Sequence, residues 1–255
     1  MELSTVEAAI GPRTKVVAIT GASNILGTKP PLRQIADAAH ANGALLWVDG
    51  VHYAAHEFVD PAELRADVVV CSACSSSGPT AASWAPRPRS SRPSGPTSSR
   101  QPPTSSPSGS SSGTLPYELL AGVTAAVDFI AAIAPGDAVD RRSRLRNSFH
   151  AIDAHELAMR QRIEAGLADG RGVVLHCARP TARRPYITLP GRRTADAAAF
   201  LVERNVQAPA SHFYGWEPWQ RLHLDDEGLR MGVAPYTNDE DVDRLLAGLA
   251  AFLGA

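Results

Sequence analysis

Several short apolar runs in this chain end in side chains suited to binding charged ligands. Lys15–Thr20 (KVVAIT) leads into Ser23-Asn24-Ile25-Leu26-Gly27-Thr28, and Ala44–Val48 leads into Asp49-Gly50-Val51-His52. Asp67–Cys71 (DVVVC) leads into Ser72, and a late run, Gly228–Val233, carries Arg230. An acid at a strand end, a nearby imidazole and a distant guanidinium suit a cationic heterocycle together with a carboxylate substrate.

The elements that position these residues follow from patterning. Lys15–Thr20 is rich in β-branched residues, and all three early runs are short enough to be buried strands. Between them, Pro30–Asn42 reads as a helix with Ile35, Ala38 and Ala39 on one face and Gly43 after its end. Pro61–Ala66 reads as a short helix. The β-α-β-α-β alternation predicts an α/β fold with a parallel sheet and right-handed crossovers. Ligands on such sheets bind at the carboxyl ends of the strands, where Asn24, Asp49, His52 and Ser72 fall. The second half predicts helices over Pro116–Ile133, Arg141–Leu167, Thr194–Arg204 and Asp239–Leu253, with strands at Val173–Ala178, Tyr186–Leu189 and Gly228–Val233. That pattern predicts a smaller α+β domain over 136–255, following a larger one over 1–135.

Composition narrows the classes. The chain has 255 residues, 44% of them hydrophobic, and a net charge of -1, as expected of one or two globular domains. The balanced charge predicts no nucleic-acid partner and no anionic membrane surface. The apolar runs are too short to span a bilayer, and the first residues do not read as a signal peptide. Cys71, Cys74 and Cys177 form no disulfide framework and no zinc pattern, so a reducing cytoplasm is expected.

One block departs from this. Residues 74–112 hold 15 Ser, 8 Pro and 3 Gly, with no Leu, Ile, Val, Asp, Glu or Lys. Such a segment is expected to be a disordered surface linker, since its prolines block ladders and helices and little apolar surface offsets ordering.

The stretch Val16–Cys71 resembles the class V aminotransferases, most of all their cysteine desulfurase-like branch. The resemblance resumes at Gly113-Thr114-Leu115-Pro116-Tyr117-Glu118 and continues through His212-Phe213-Tyr214 and Gly228-Leu229-Arg230-Met231-Gly232. It implies the large domain of a fold-type I enzyme dependent on pyridoxal 5'-phosphate (PLP), a small C-terminal domain and a homodimer. It further implies that Asp49 pairs with the pyridinium nitrogen and keeps the ring an electron sink. By the same resemblance His52 meets the ring hydroxyl, and Asn24 lies beside that oxygen and the substrate. Ser72 binds the cofactor phosphate, Thr114 reaches the phosphate of the neighbouring subunit, and Arg230 grips the α-carboxylate of a small amino acid. Each residue also has a structural reading: a cap or loop acid for Asp49, a loop histidine for His52, a turn for Asn24, a strand-end cap for Ser72, a helix cap for Thr114 and a surface ion pair for Arg230.

Three departures from the family pattern stand out. The Schiff-base lysine belongs three residues after Ser72, where this chain has Ser75, and no lysine follows Lys29. A serine cannot attach the cofactor covalently. The resemblance begins midway through the family's large domain, so the half with the phosphate loop and the ring-stacking aromatic is not matched. Residues 205–229 contain no cysteine to serve as a desulfurase nucleophile.

The codon arithmetic offers an origin for the first departure. TGC AAG TTC TTC GGG CCC CAC encodes Cys-Lys-Phe-Phe-Gly-Pro-His. Deleting one A gives TGC AGT TCT TCG GGC CCC AC, which reads Cys-Ser-Ser-Ser-Gly-Pro-Thr, the residues at 74–80. A frameshift at position 75, compensated near residue 112, is the hypothesis; it fails if the other frames encode nothing like the family segment. Loss of several buried aliphatic side chains at about 1.5–3 kcal/mol each rivals a native stability of about 5–15 kcal/mol. The expectation is poor solubility or partial folding.

Three other readings compete. A short-chain dehydrogenase opening is suggested by Val17–Ser23, but Ile25 stands where backbone must approach a pyrophosphate, and no tyrosine is followed four residues later by lysine. A non-catalytic remnant, binding PLP reversibly or dimerising, is the stronger alternative. An intact enzyme hidden by a sequence error is the third.

Overall fold

The computed structural model of the chain describes residues 3–73, 82–86 (backbone), 116–168, 172–176, 185–221 and 227–254. In chain order the elements are α1 (Leu3–Ala9), β1 (Val16–Thr20), α2 (Leu32–Ala41), β2 (Leu45–Asp49), α3 (Pro61–Leu64), β3 (Val68–Ser72), β4 (Ala82–Pro86), α4 (Tyr117–Ala131) and α5 (Arg141–Ala168). They continue with β5 (Val174–Leu175), β6 (Tyr186–Thr188), α6 (Thr194–Val202), β7 (Ala210–Ser211), α7 (Trp216–Arg221), β8 (Gly228–Arg230) and α8 (Asp239–Leu253).

The first sheet runs β1-β2-β3-β4, with β1, β2 and β3 parallel and β4 antiparallel to β3. The parallel part is what the alternation predicts. Helix α2 covers it with Leu32, Ile35, Ala36 and Ala39, spaced at i, i+3, i+4 and i+7 along one apolar stripe. These pack with Leu46, Val48 and Val69 from the strands. Asp60 begins α3 by accepting the amides of Ala62 and Glu63, and Pro61 fills the first helical position.

β4 corrects one expectation. The Ser/Pro-rich block is not wholly without ladder structure, because Ala82–Pro86 pairs with Val68–Ser72. The position explains the tolerance: the strand lies at an edge of the sheet, and its proline is its last residue.

The second sheet runs β5-β6-β8-β7 and is antiparallel throughout. Its core joins Ile187 and Leu229 from the strands to Ile163 of α5, Leu201 of α6, and Val242 and Leu249 of α8. Helix α8 begins at a capping box between Asn238 and Asp241, has three acids in its first turn, and ends at Gly254 in the left-handed conformation.

The chain forms two compact units: 1–21 with 30–149, and 22–29 with 150–255. The division falls inside α5 rather than at residue 135. The continuous helix gives no compositional break there, and the segment after β1 joins the second unit. Among the described residues, no helix is long and apolar enough to cross a membrane.

Candidate functional site

In the first unit the strand ends hold three of the expected residues. Asp49 ends β2 in register with Thr20 on one side and Val70 on the other, and Ser72 lies two residues further along β3. The turn after Asp49 is tight: Gly50 donates to Val70 O at 2.7 Å, and Ala54 donates to Gly50 O at 2.8 Å. A side chain at Gly50 would meet Val69 Cγ1 at 3.0 Å and Val70 O at 3.1 Å, so only glycine passes there without displacing the neighbouring strand. The Asp49 carboxylate is exposed. Its Oδ1 accepts from Val51 N–H at 3.0 Å, and its Oδ2 makes no hydrogen bond among the described residues.

His52 stands just before the short 3-10 turn Tyr53–Ala55, and its ring stands edge-on to that of His56, 5.1 Å between centroids. Ser72 lines a cavity of about 230 Å³ with Cys71, Phe58, Ile130 and Phe149. The Cys71 thiol is pushed up by burial and, secondarily, by the charge of Asp49, which favours the protonated, unreactive form. Ser75 and Thr114 lie outside the described residues.

In the second unit Arg230 is the last residue of β8. Its strand is fixed from both sides: Arg230 N–H donates to Pro209 O at 3.1 Å, and Arg230 stands in register with Tyr186 of β6. Tyr186 is fully buried, accepts from Gly228 N–H at 2.8 Å and donates to Ser211 O at 3.2 Å. The Arg230 guanidinium is half-buried, and that burial pulls its pKa down. Its Nη1 donates to Asn24 O at 3.1 Å, and its Cζ lies 3.9 Å from the Phe213 ring centroid. Among the described residues it has no carboxylate partner.

Asn24 and Arg230 are therefore brought together within one unit. The expected role of the Asn24 side chain is only partly open, however, because its Nδ2 donates to Phe213 O at 2.8 Å. Phe213 is the residue that sequence reasoning left without a role. The motif His212-Phe213-Tyr214 marks the place, but the stacking follows from a contact between residues far apart in sequence.

The sequence profile of the family described as aminotransferase class-V matches residues 1–245. A probable cysteine desulfurase of Pseudomonas putida is 30% identical over 271 residues, covering 94% of this chain and 59% of that protein. A cysteine desulfurase of Dickeya dadantii is 28% identical over 255 residues, covering 98% of this chain and 60% of that protein. Among solved structures, the cysteine desulfurase of Escherichia coli in its S-sulfonic acid form superposes with a TM-score of 0.83 at 21% identity, over 99% of this chain and 62% of that one. The apo cysteine desulfurase of Thermococcus onnurineus gives a TM-score of 0.83 at 21% identity, over 100% and 63%. The chain thus spans less than two thirds of the length of these relatives.

Proposed function

Since the chain belongs to the class-V aminotransferase family, we propose that it is a cysteine desulfurase-like protein that binds PLP reversibly and a small amino acid by its α-carboxylate, without covalent attachment or turnover. The carrying observation is that Asp49 is kept at its strand end with its Oδ2 unbonded among the described residues, while residue 75 is serine. The donor set fits a protonated ring, a ring hydroxyl and a phosphate. It does not fit covalent attachment, which needs an amine at residue 75.

In this reading Asp49 holds a proton on the ring nitrogen, His52 meets the ring hydroxyl, and Ser72 and Thr114 donate to phosphate oxygens. Arg230 orients the substrate carboxylate through two parallel N–H groups. PLP, when bound, supplies an electron sink. The protein is a cytoplasmic homodimer, and its block at 74–112 is read out of frame relative to its ancestor.

Replacing Ser75 tests this. After borohydride reduction with PLP, Ser75→Lys is expected to carry a pyridoxyl group at residue 75, and the natural chain none there. Failure of Ser75→Lys to acquire that label would overturn the assignment of the slot.

A second reading, a dimerising module, is favoured by α4, which exposes Phe129 (64%) and Tyr117 (69%). Sedimentation together with PLP titration distinguishes it: a natural chain that binds no PLP but forms a dimer dissociated by Phe129→Glu supports the module.

A further inference from the structure

The loop that leads from β7 to α7 is held in a costly conformation. Phe213 and Tyr214 both lie in the left-handed region, at φ 48° and 62°. A non-glycine residue in that region is strained, so two in succession persist only where the surroundings fix them. The fixings are specific. Phe213 N–H donates to Ser211 Oγ at 3.0 Å, Asn24 Nδ2 donates to Phe213 O at 2.8 Å, and Gly215 N–H donates to His212 O at 2.8 Å. Gly215 itself lies so close to the buried Ile25 that a side chain there would collide with it.

The product of this arrangement is the placement of one ring. Phe213 lies against one face of the Arg230 guanidinium, and Asn24 O takes its Nη1. Nε and Nη2 make no hydrogen bond among the described residues. These two nitrogens form the edge that receives a carboxylate through two parallel bonds. A long arginine side chain otherwise keeps much rotamer freedom, which a ring on one face and an acceptor at one end remove before a ligand arrives.

We infer that Phe213 and Asn24 are positioning residues for Arg230: the Phe213 ring sets the plane of the guanidinium, and Asn24 fixes both that ring and the occupied end of the fork, leaving its free edge for a carboxylate. The inference rests on the proposed carboxylate role of Arg230. It assigns the Asn24 amide to the loop, and it gives the strained backbone a purpose, since in this conformation the Phe213 ring lies on Arg230.

The test is a ligand-observed NMR titration of the full chain with L-alanine and with L-alaninamide, which lacks the carboxylate. The natural chain is expected to prefer alanine. Phe213→Leu is expected to weaken alanine binding by about 3- to 30-fold, the range of a cation–π contact, and to leave the amide unchanged; Phe213→Tyr, which keeps the ring face, restores alanine binding. Asn24→Ala, at an exposed position, provides a second arm that does not alter the ring itself, and is expected to weaken alanine binding by about 2- to 10-fold. No preference for alanine in the natural chain would overturn the carboxylate role of Arg230. A preference that survives both Phe213→Leu and Asn24→Ala would overturn the positioning roles alone.

Discussion

The guanidinium of Arg230 rests on the ring of Phe213, 3.9 Å from Cζ to the ring centroid, and the same phenylalanine's carbonyl accepts a hydrogen bond from Asn24. The cation is therefore held by side and main chain from two distant stretches of sequence, and the loop that carries Phe213 has little freedom of its own. Gly215 shows how little. Gly215→Ala would drive its new methyl into Ile25, which is buried to 2% exposure. Overpacking of this kind costs about 1–3 kcal/mol. Urea denaturation is expected to show that loss, and Ile25→Ala in the same chain is expected to recover part of it. Additive losses would mean that the two residues do not meet.

Tyr186 anchors the strand beneath the same arginine. Tyr186→Phe leaves the Gly228 N–H without its acceptor in a buried place, which costs about 1–3 kcal/mol. The expected result is a lower urea midpoint with an unchanged slope. A midpoint equal to that of the natural chain would show that the hydroxyl is dispensable.

Asp60 predicts an acid limit in the first unit. Burial pushes its carboxyl up, but the hydrogen bond from Arg142 at 2.5 Å and the amides of Glu63 and Ala62 outweigh that and hold it below the usual range. A depressed carboxyl contributes stability that is fully present above its unfolded pKa of about 4 and is lost as pH falls through the folded value. Stability of the natural chain is therefore expected to decline as pH drops below about 4, and Asp60→Asn is expected to flatten that decline. Asp60→Ala also removes the α3 cap, for about 1 kcal/mol at neutral pH. An unchanged pH profile in Asp60→Asn would assign the acid sensitivity elsewhere.

The two units are expected to differ in local stability. Strand β1 has no buried residue, whereas β6 and β8 bury Tyr186, Ile187 and Leu229 completely. Native-state hydrogen exchange is expected to protect the amides of β6 and β8 longer than those of β1. Equal protection in both sheets, lost in a single cooperative transition, would contradict this and the expectation of partial folding together.

What was legible in the sequence was what local rules decide. The bounds of α8 follow from the Asn238 cap, its acidic first turn and the glycine at its end. The early parallel strands follow from short apolar runs separated by helical segments. The short elements β7 and α7 were missed because they are stabilised by contacts distant in sequence rather than by a pattern of their own. β4 was missed because an edge strand tolerates composition that a central strand does not. The pairing of Asn24 with Arg230 was legible only as two separate candidates; the contact spans 206 residues, and no periodicity reports it. The ring of Phe213 between them was not legible at all, because stacking of arginine on phenylalanine has no signature in sequence.

The central claim is that Asp49 still recruits PLP while Ser75 denies it a covalent hold. The direct measurement is an absorbance titration of the natural chain and of Asp49→Ala with PLP, followed by gel filtration and by borohydride reduction with intact-mass analysis. PLP binding without covalent attachment would appear as saturable binding that gel filtration removes, no reduction-stable adduct on the natural chain, and loss of binding in Asp49→Ala. A stable pyridoxyl adduct on the natural chain, or a titration indifferent to Asp49→Ala, would contradict it.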